Sequence, residues 1–173
     1  TQSDDGFLDA YVCNQACSTS GSWIVSNNIG QVWDVAPGTH SRRFDVEFEN
    51  STADAVVVYA IQSTNASRDL AYKVLPSARS KFIDITEQYI DDSEAADVNY
   101  TWIALDRNPT SSEELIAVGF DGTSNDVNAF VWNGTGWGNQ REVTPLGIGD
   151  AGSESLAVKY TADGTRGMVL AGD

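Results

Sequence analysis

The stretch RFDVEFENSTADAVVVYA (Arg43–Ala60) decides the fold, because its pattern returns as SLAVKYTADGTRGMVLAG (Ser155–Gly172), 112 residues further along and without a gap. Halfway between them, TWIALDRNPTSSEELIAVG (Thr101–Gly119) fits the same pattern with one inserted residue. Each copy begins at an aromatic residue or Leu, alternates for a few positions, turns through polar residues and ends in an aliphatic run. Alternation, a polar turn and a second apolar run together predict a β-hairpin.

A second kind of hairpin fills the gaps between these copies. Its clearest example is FVWNGTGWGNQREVT (Phe130–Thr144), where Asn133 and Gly134 are expected to supply the positive φ angles of a tight turn between Trp132 and Trp137. Three segments share the opening pattern of this hairpin, and the strands that follow them are expected near Trp23, Phe82 and Trp137: LDAYVCN (Leu8–Asn14), LAYKVLP (Leu70–Pro76) and VNAFVWN (Val127–Asn133).

Two hairpins in sequence predict an antiparallel module of four strands and about 57 residues. The chain of 173 residues then forms one all-β domain, 1–173, with about three modules (1–60, 61–119 and 120–173) and no convincing amphipathic helix. Because the hairpins begin out of phase, one module is expected to be split between the two ends of the chain. Four-stranded units that bury one sheet against the next are typical of β-propellers.

Three modules are fewer than the usual four to eight blades of a propeller. The chain is therefore expected to be part of a longer array, or to have its split module completed by another copy. Head-to-tail completion gives a ring if the rotation closes and a filament if it does not. A row of small β-sandwich units is the alternative without propeller closure.

Three stretches carry a resemblance to a known class of protein: FDVEFENSTADAVVVY, WIALDRNPTSSEELIAV and VNAFVWNGTGWG. They resemble the tandem β-propeller-type repeats of large secreted and cell-surface proteins of bacteria and archaea. The WNGTGW hairpin is also similar to turns in propeller lectins and, more weakly, to the Asp-box hairpins of sialidases. The hairpin lacks the Ser-x-Asp-x-Gly core of the Asp box, so no catalytic residue carries over.

The charge of the chain excludes several partners. Ten Lys and Arg residues stand against 25 Asp and Glu residues, which gives a formal net charge of −15. Nucleic acids and anionic membranes require a basic surface, which this composition lacks. No apolar run approaches the roughly 18 to 20 residues of a membrane span, so membrane insertion is not expected.

Cysteines and glycosylation motifs both point outside the cell. Cys13 and Cys17, in CNQAC, are too few for a zinc site and predict a small local disulfide. An extracellular location is therefore expected. Four Asn-x-Ser/Thr motifs are candidate N-glycosylation sites: Asn50, Asn65, Asn99 and Asn133.

Catalytic and metal-binding motifs are weak. His40 is the only histidine, and no GxSxG motif accompanies it, so no catalytic residue is assigned. With 25 acidic residues, a pair of carboxylates suited to a glycoside hydrolase is unavoidable and carries little information. No cofactor is expected apart from calcium, for which the oxygen-rich loop of Asp121, Asn125 and Asp126 is a candidate site. An equivalent cluster at the chain junction contains Ser3, Asp4, Asp5 and Asp173.

The tryptophans link the fold to function. Their alternating strand positions favour core packing, but Trp33, in GQVWDVAPG, fits no strand and is the best candidate for a contact surface. The predicted function is a structural or adhesive extracellular module that assembles with copies of itself or with neighbouring repeats of a longer parent. The alternatives are a carbohydrate-binding, lectin-like module with glycan partners and, third, a glycoside hydrolase.

Overall fold

A computed structural model describes residues 6–13, 17–32, 41–61, 63, 65, 68–82, 84–91, 99–144 and 156–172. The described residues form antiparallel β-sheets and contain no α-helix, which confirms the all-β prediction. A single 3-10 turn, Ser20–Ser22, precedes the second strand.

The strands form four sheets in chain order. The first hairpin and the last hairpin are two-stranded, and two four-stranded meanders, sheet I and sheet II, lie between them. The first hairpin is β1 (Phe7–Cys13) and β2 (Trp23–Gln31); sheet I is β3 (Phe44–Phe48), β4 (Ala55–Ala60), β5 (Leu70–Leu75) and β6 (Gln88–Ile90); sheet II is β7 (Tyr100–Arg107), β8 (Glu114–Asp121), β9 (Asp126–Asn133) and β10 (Trp137–Thr144); the last hairpin is β11 (Leu156–Tyr160) and β12 (Gly167–Ala171).

Three apolar cores hold these sheets as four stacked layers. Successive side chains of a strand point to opposite faces, so a central sheet contributes to two cores. Val56 and Val58 of sheet I pack towards sheet II, whereas Val57 and Tyr59 pack towards the first hairpin. Sheet II likewise packs its other face on the last hairpin. The order of layers is first hairpin, sheet I, sheet II, last hairpin.

The first strands of successive layers are linked by carboxylates. Asp45 Oδ2 on β3 accepts a hydrogen bond of 2.8 Å from the backbone N–H of Leu105 on β7. In the same way, Asp106 Oδ2 on β7 accepts a hydrogen bond of 2.6 Å from the N–H of Tyr160 on β11. The buried carboxylate of Asp106 also pairs with Lys159. Because each carboxylate accepts a backbone donor from the next layer, these contacts fix the order of β3, β7 and β11.

The hairpin turns also stack from layer to layer. Asn50 Nδ2, in the β3–β4 turn, donates hydrogen bonds to the carbonyl oxygens of Pro109 (3.0 Å) and Ser111 (3.4 Å) in the β7–β8 turn. Asn108 Nδ2, in the β7–β8 turn, donates to the carbonyl oxygen of Gly164 (3.1 Å) in the β11–β12 turn. An asparagine side-chain amide therefore joins neighbouring turns at both places, Asn50 in one and Asn108 in the other.

The structure differs from the sequence predictions in three respects. The two end hairpins are separate two-stranded sheets, so the described residues do not form a closed propeller. The strand expected near Phe82 begins at Gln88, because Phe82 is buried in a loop against the first hairpin. The turn after Trp132 spans four residues in which Gly134 has a φ of 90°, whereas Asn133 holds the turn through its side chain.

Candidate self-assembly interface

Each end of the stack presents half of a four-stranded unit. Within the described residues, β12 pairs with β11 alone and β1 pairs with β2 alone, so each hairpin has an open strand edge. The β11–β12 hairpin has the register of the first hairpin of sheets I and II, since the pairs next to the three turns are Phe48–Ala55, Arg107–Leu115 and Tyr160–Gly167. The β1–β2 hairpin matches the β9–β10 hairpin, with Cys13–Trp23 in place of Trp132–Trp137.

Both half-units expose an apolar face. On the first hairpin, Tyr11, Trp23 and Val25 share the face that points away from sheet I. On the last hairpin, Met168 and Leu170 share the face that points away from sheet II. Large apolar side chains grouped on one face usually mark a site of protein contact.

A third exposed apolar surface lies on sheet I beside the first hairpin. Val46 and Phe48 of β3 are exposed on the face that the first hairpin covers elsewhere in the sheet. Phe44, on the same strand and face, is partly buried against this core. The first hairpin therefore covers only part of this face.

Equivalent positions within the chain show that these exposures are unusual for the fold. Val46 is 48% exposed, whereas its equivalents in the next two layers, Leu105 and Val158, are 8% and 9% exposed. Leu170 is 60% exposed, whereas its equivalents Val58 and Val118 are 0% and 1% exposed. The preceding layer buries Leu105 and Val158, and the following layer buries Val58 and Val118.

Gly30 allows the first hairpin to approach sheet I closely. A Cβ atom at Gly30 would lie 2.3 Å from Cζ of Tyr59, so the hairpin rests directly on this ring. The Tyr59 hydroxyl donates a hydrogen bond to Glu87, and burial together with this bond raises the pKa of Tyr59 well above its usual value. Tyr59 is therefore a neutral, buried support for the first hairpin.

Three of the tryptophans lie in or against the layered core. Trp132 is buried between sheets I and II, where Nε1 donates a hydrogen bond of 2.6 Å to Glu49 Oε1. Its ring lies 5.6 Å from those of Tyr72 and Trp137. Trp102 is buried in the core under the last hairpin. The predicted contact residue Trp33 lies outside the described residues, and Trp23 is exposed on the first hairpin.

A cavity of about 410 Å³ separates β2 from the loop after β5. Two of the three lysines in the chain, Lys73 and Lys81, lie in its lining together with Asp84. Asn27 and Asn28 of β2 add amide groups on the opposite side. Sequence analysis missed this site because its two sides come from different layers; the nearness of two lysines in an acidic chain was the one available signal.

The predicted calcium loop is closed by its own backbone. The side chain of Asp121 is fully buried and accepts hydrogen bonds from the N–H groups of Asn99, Thr123 and Ser124. Asn125 is exposed with a φ of 57°, and Asp126 accepts a bond from the Asn128 amide. Within the described residues no group of three or more His, Cys, Asp or Glu side chains is placed to hold a metal. Calcium binding stays a prediction, and Ser3, Asp4, Asp5 and Asp173 lie outside the described residues.

The four glycosylation motifs occupy different environments. Asn65 and Asn133 are exposed, and the Asn133 oxygen accepts hydrogen bonds from the following turn. Asn99 is half-buried and accepts a bond from Arg43. Asn50 donates both of its amide bonds to the neighbouring turn, so a glycan on that nitrogen would replace one of these hydrogens. Glycosylation stays a prediction at all four.

The structure contains a disulfide between Cys13 and Cys17, as the spacing predicted. Cys13 is the last residue of β1, so the bridge lies at the turn end of the first hairpin. The residues between the two cysteines lie outside the described part of the chain.

No family model, curated protein or solved structure matches this chain. In the part of the chain that the structure describes, no helix is long and apolar enough to span a membrane.

Proposed function

We propose that this protein is an extracellular structural or adhesive module whose copies join head to tail. The last hairpin of one copy and the first hairpin of the next would together form a four-stranded unit like sheets I and II. The observation that carries this proposal is the pair of half-units at opposite ends of the stack, each with one strand edge that pairs with no other described strand and with an exposed apolar face.

Strand edges and apolar faces both favour association. An unpaired edge offers backbone N–H and C=O groups to another strand, and soluble proteins usually protect such edges. Burying apolar side chains contributes roughly 25 cal/mol for each Å² removed from water. A strand added to such an edge would pair the backbone groups and bury the apolar side chains in one contact.

The proposed setting and role rest on further features. A disulfide is typical of oxidising, extracellular compartments, and four N-glycosylation motifs agree with that location. Repeated completion would build either a propeller-like ring or a filament suited to a surface appendage or a large adhesin. The role is non-enzymatic, requires no cofactor and leaves calcium as an accessory at loops.

The self-assembly proposal can be tested by sedimentation of the purified protein over a range of concentrations. We expect oligomers to grow as the protein concentration rises. The Met168→Lys/Leu170→Lys double variant should remain monomeric up to a protein concentration about tenfold higher. Tyr89→Lys is the control, because Tyr89 is exposed but lies on sheet I at β6, outside the three apolar surfaces. A monomer at all concentrations, or an equal effect of both variants, would contradict the proposal.

Carbohydrate binding is a second candidate, favoured by the cavity beside Lys73 and Lys81. Its volume falls in the range of small-ligand sites, and its amide, ammonium and carboxylate groups can hydrogen-bond to a sugar. Screening against an array of glycans would test it. We expect binding that Lys73→Ala/Lys81→Ala abolishes and that Leu170→Lys leaves unchanged; the reverse pattern would assign the binding to the assembly surface.

A further inference from the structure

The structure assigns a specific register to the contact between copies. We infer that β12 of one copy pairs antiparallel with β1 of the next, with Met168 opposite Val12 and Leu170 opposite Ala10. This inference rests on the proposed self-assembly and specifies its partner surface, a second copy of this chain.

The register follows from sheets I and II, which are internal standards for the complete unit. In sheet I, Ala55 at the start of β4 pairs with Leu75 at the end of β5. In sheet II, Leu115 pairs with Trp132 at the corresponding places. Gly167 and Cys13 occupy those places in the half-units, because Tyr160–Gly167 and Cys13–Trp23 are the pairs beside the two turns. The same rule across the edge predicts six pairs: Gly167–Cys13, Met168–Val12, Val169–Tyr11, Leu170–Ala10, Ala171–Asp9 and Gly172–Leu8.

The faces of the two hairpins agree with this register. Directly opposite residues of an antiparallel pair point to the same face. Val12 and Ala10 already pack on sheet I of their own copy, so Met168 and Leu170 would point towards that same sheet. There the exposed surface of Val46 lies on β3, which the first hairpin leaves uncovered.

The faces of the two hairpins that point towards sheet II agree with the same register. Val169 already packs on sheet II of its own copy, so its partner Tyr11 would point towards sheet II as well. The last hairpin contacts sheet II chiefly at β7 and β8, and Val127 and Ala129 of β9 are already buried on this face. The exposed Gly138 and Arg141 of β10 are left to receive the first hairpin of the next copy. Each half-unit therefore exposes the face that the other copy would cover.

Trp23 shows what the contact would bury. Its equivalent on sheet II, Trp137, follows the same turn and packs in the core beside Trp132 and Tyr72. Trp23 is exposed because none of the described sheets lies on that side of the first hairpin. In the joined unit it would take the place of Trp137, against sheet II of the preceding copy.

Four single cysteine variants test the register in a two-by-two design: Ala10→Cys, Val12→Cys, Met168→Cys and Leu170→Cys. Each variant with a cysteine in β12 is mixed with each variant in β1 under mild oxidation, while the native Cys13–Cys17 bridge remains closed. Directly opposite residues lie within the Cα separation that a disulfide accepts, whereas diagonal ones lie about 7 to 8 Å apart. Every variant appears in one in-register and one out-of-register mixture, so its own stability cancels.

We expect about fivefold more covalent dimer when Leu170→Cys is mixed with Ala10→Cys, or Met168→Cys with Val12→Cys, than in the other two mixtures. Excess dimer in a crossed mixture would overturn the register and leave self-assembly standing. Equal yields in all four mixtures would overturn strand pairing at this edge. Failure of the unsubstituted protein to associate in sedimentation would overturn the self-assembly proposal itself.

Discussion

At the level of single residues, the buried carboxylate of Glu49 joins sheet I to sheet II. It accepts the indole N–H of Trp132 and the hydroxyl of Thr52, so both of its oxygens have donors. A buried polar group without a partner costs about 1 to 3 kcal/mol. Glu49 therefore supplies the acceptor that the buried indole N–H of Trp132 requires.

Glu49→Ala is expected to lower the free energy of unfolding by about 2 kcal/mol, because the indole N–H loses its acceptor inside the core. Urea unfolding would measure this loss. In the Trp132→Phe background the same substitution should cost less than half as much, since no indole donor remains. Equal losses in both backgrounds would mean that Glu49 stabilises the fold by another route.

The raised pKa of Tyr59 makes the free energy of unfolding depend on pH. The folded chain holds its hydroxyl proton more tightly than the unfolded chain, because burial and the bond to Glu87 raise its pKa. Stability should therefore be fully present below about pH 10 and fall as the pH rises further, by about 1.4 kcal/mol per pH unit for one such group. Urea unfolding between pH 8 and about 11 should show a shallower decline for Tyr59→Phe. A Tyr11→Phe control with the same effect would contradict this assignment.

At the level of elements, the stacked turns align the layers. Gly164 has a φ of 65°, and a Cβ atom there would lie 2.0 Å from Thr110 Oγ1 and 2.2 Å from Asn108 Oδ1. The turn of the last hairpin therefore reaches the turn of sheet II only because this residue is glycine.

Gly164→Ala is expected to destabilise the protein by about 1 to 3 kcal/mol, through an unfavourable φ and the clash with the neighbouring turn. Gly136→Ala is the matched control, because a Cβ atom at Gly136 meets nothing within 4 Å. Thermal unfolding of both variants would measure the difference. If Gly136→Ala is as destabilising as Gly164→Ala, the stacked turns do not explain the requirement for glycine.

At the level of the whole molecule, a net charge of −15 opposes the approach of identical copies. Salt screens such repulsion, since the Debye length falls from about 30 Å at 0.01 M to about 10 Å at 0.1 M ionic strength. The contact surfaces that we propose are mainly apolar, so screening should remove repulsion without weakening the contact.

Raising the NaCl concentration from about 0.01 M to about 0.3 M is therefore expected to lower the protein concentration at which oligomers form, by about tenfold. Light scattering across a dilution series would measure it, with sucrose of equal osmolality as the control. Weaker association at high salt would indicate that ion pairs hold the copies together.

The sequence by itself determined the local structure. Alternating apolar residues with polar turns predicted the hairpins, and the spacing of Cys13 and Cys17 predicted the disulfide. These features depend on side-chain periodicity and on neighbours along the chain, which a single sequence displays directly.

Tertiary structure decided which faces are covered. Val46 and Leu105 occupy equivalent strand positions, and nothing in their local pattern distinguishes the exposed residue from the buried one. The difference arises because sheet I lies against β7, whereas none of the described layers covers β3 at that place. Burial of a residue depends on the sheet that packs against it, and that sheet comes from a distant part of the chain. The exposed faces of the two half-units therefore follow only from the tertiary structure.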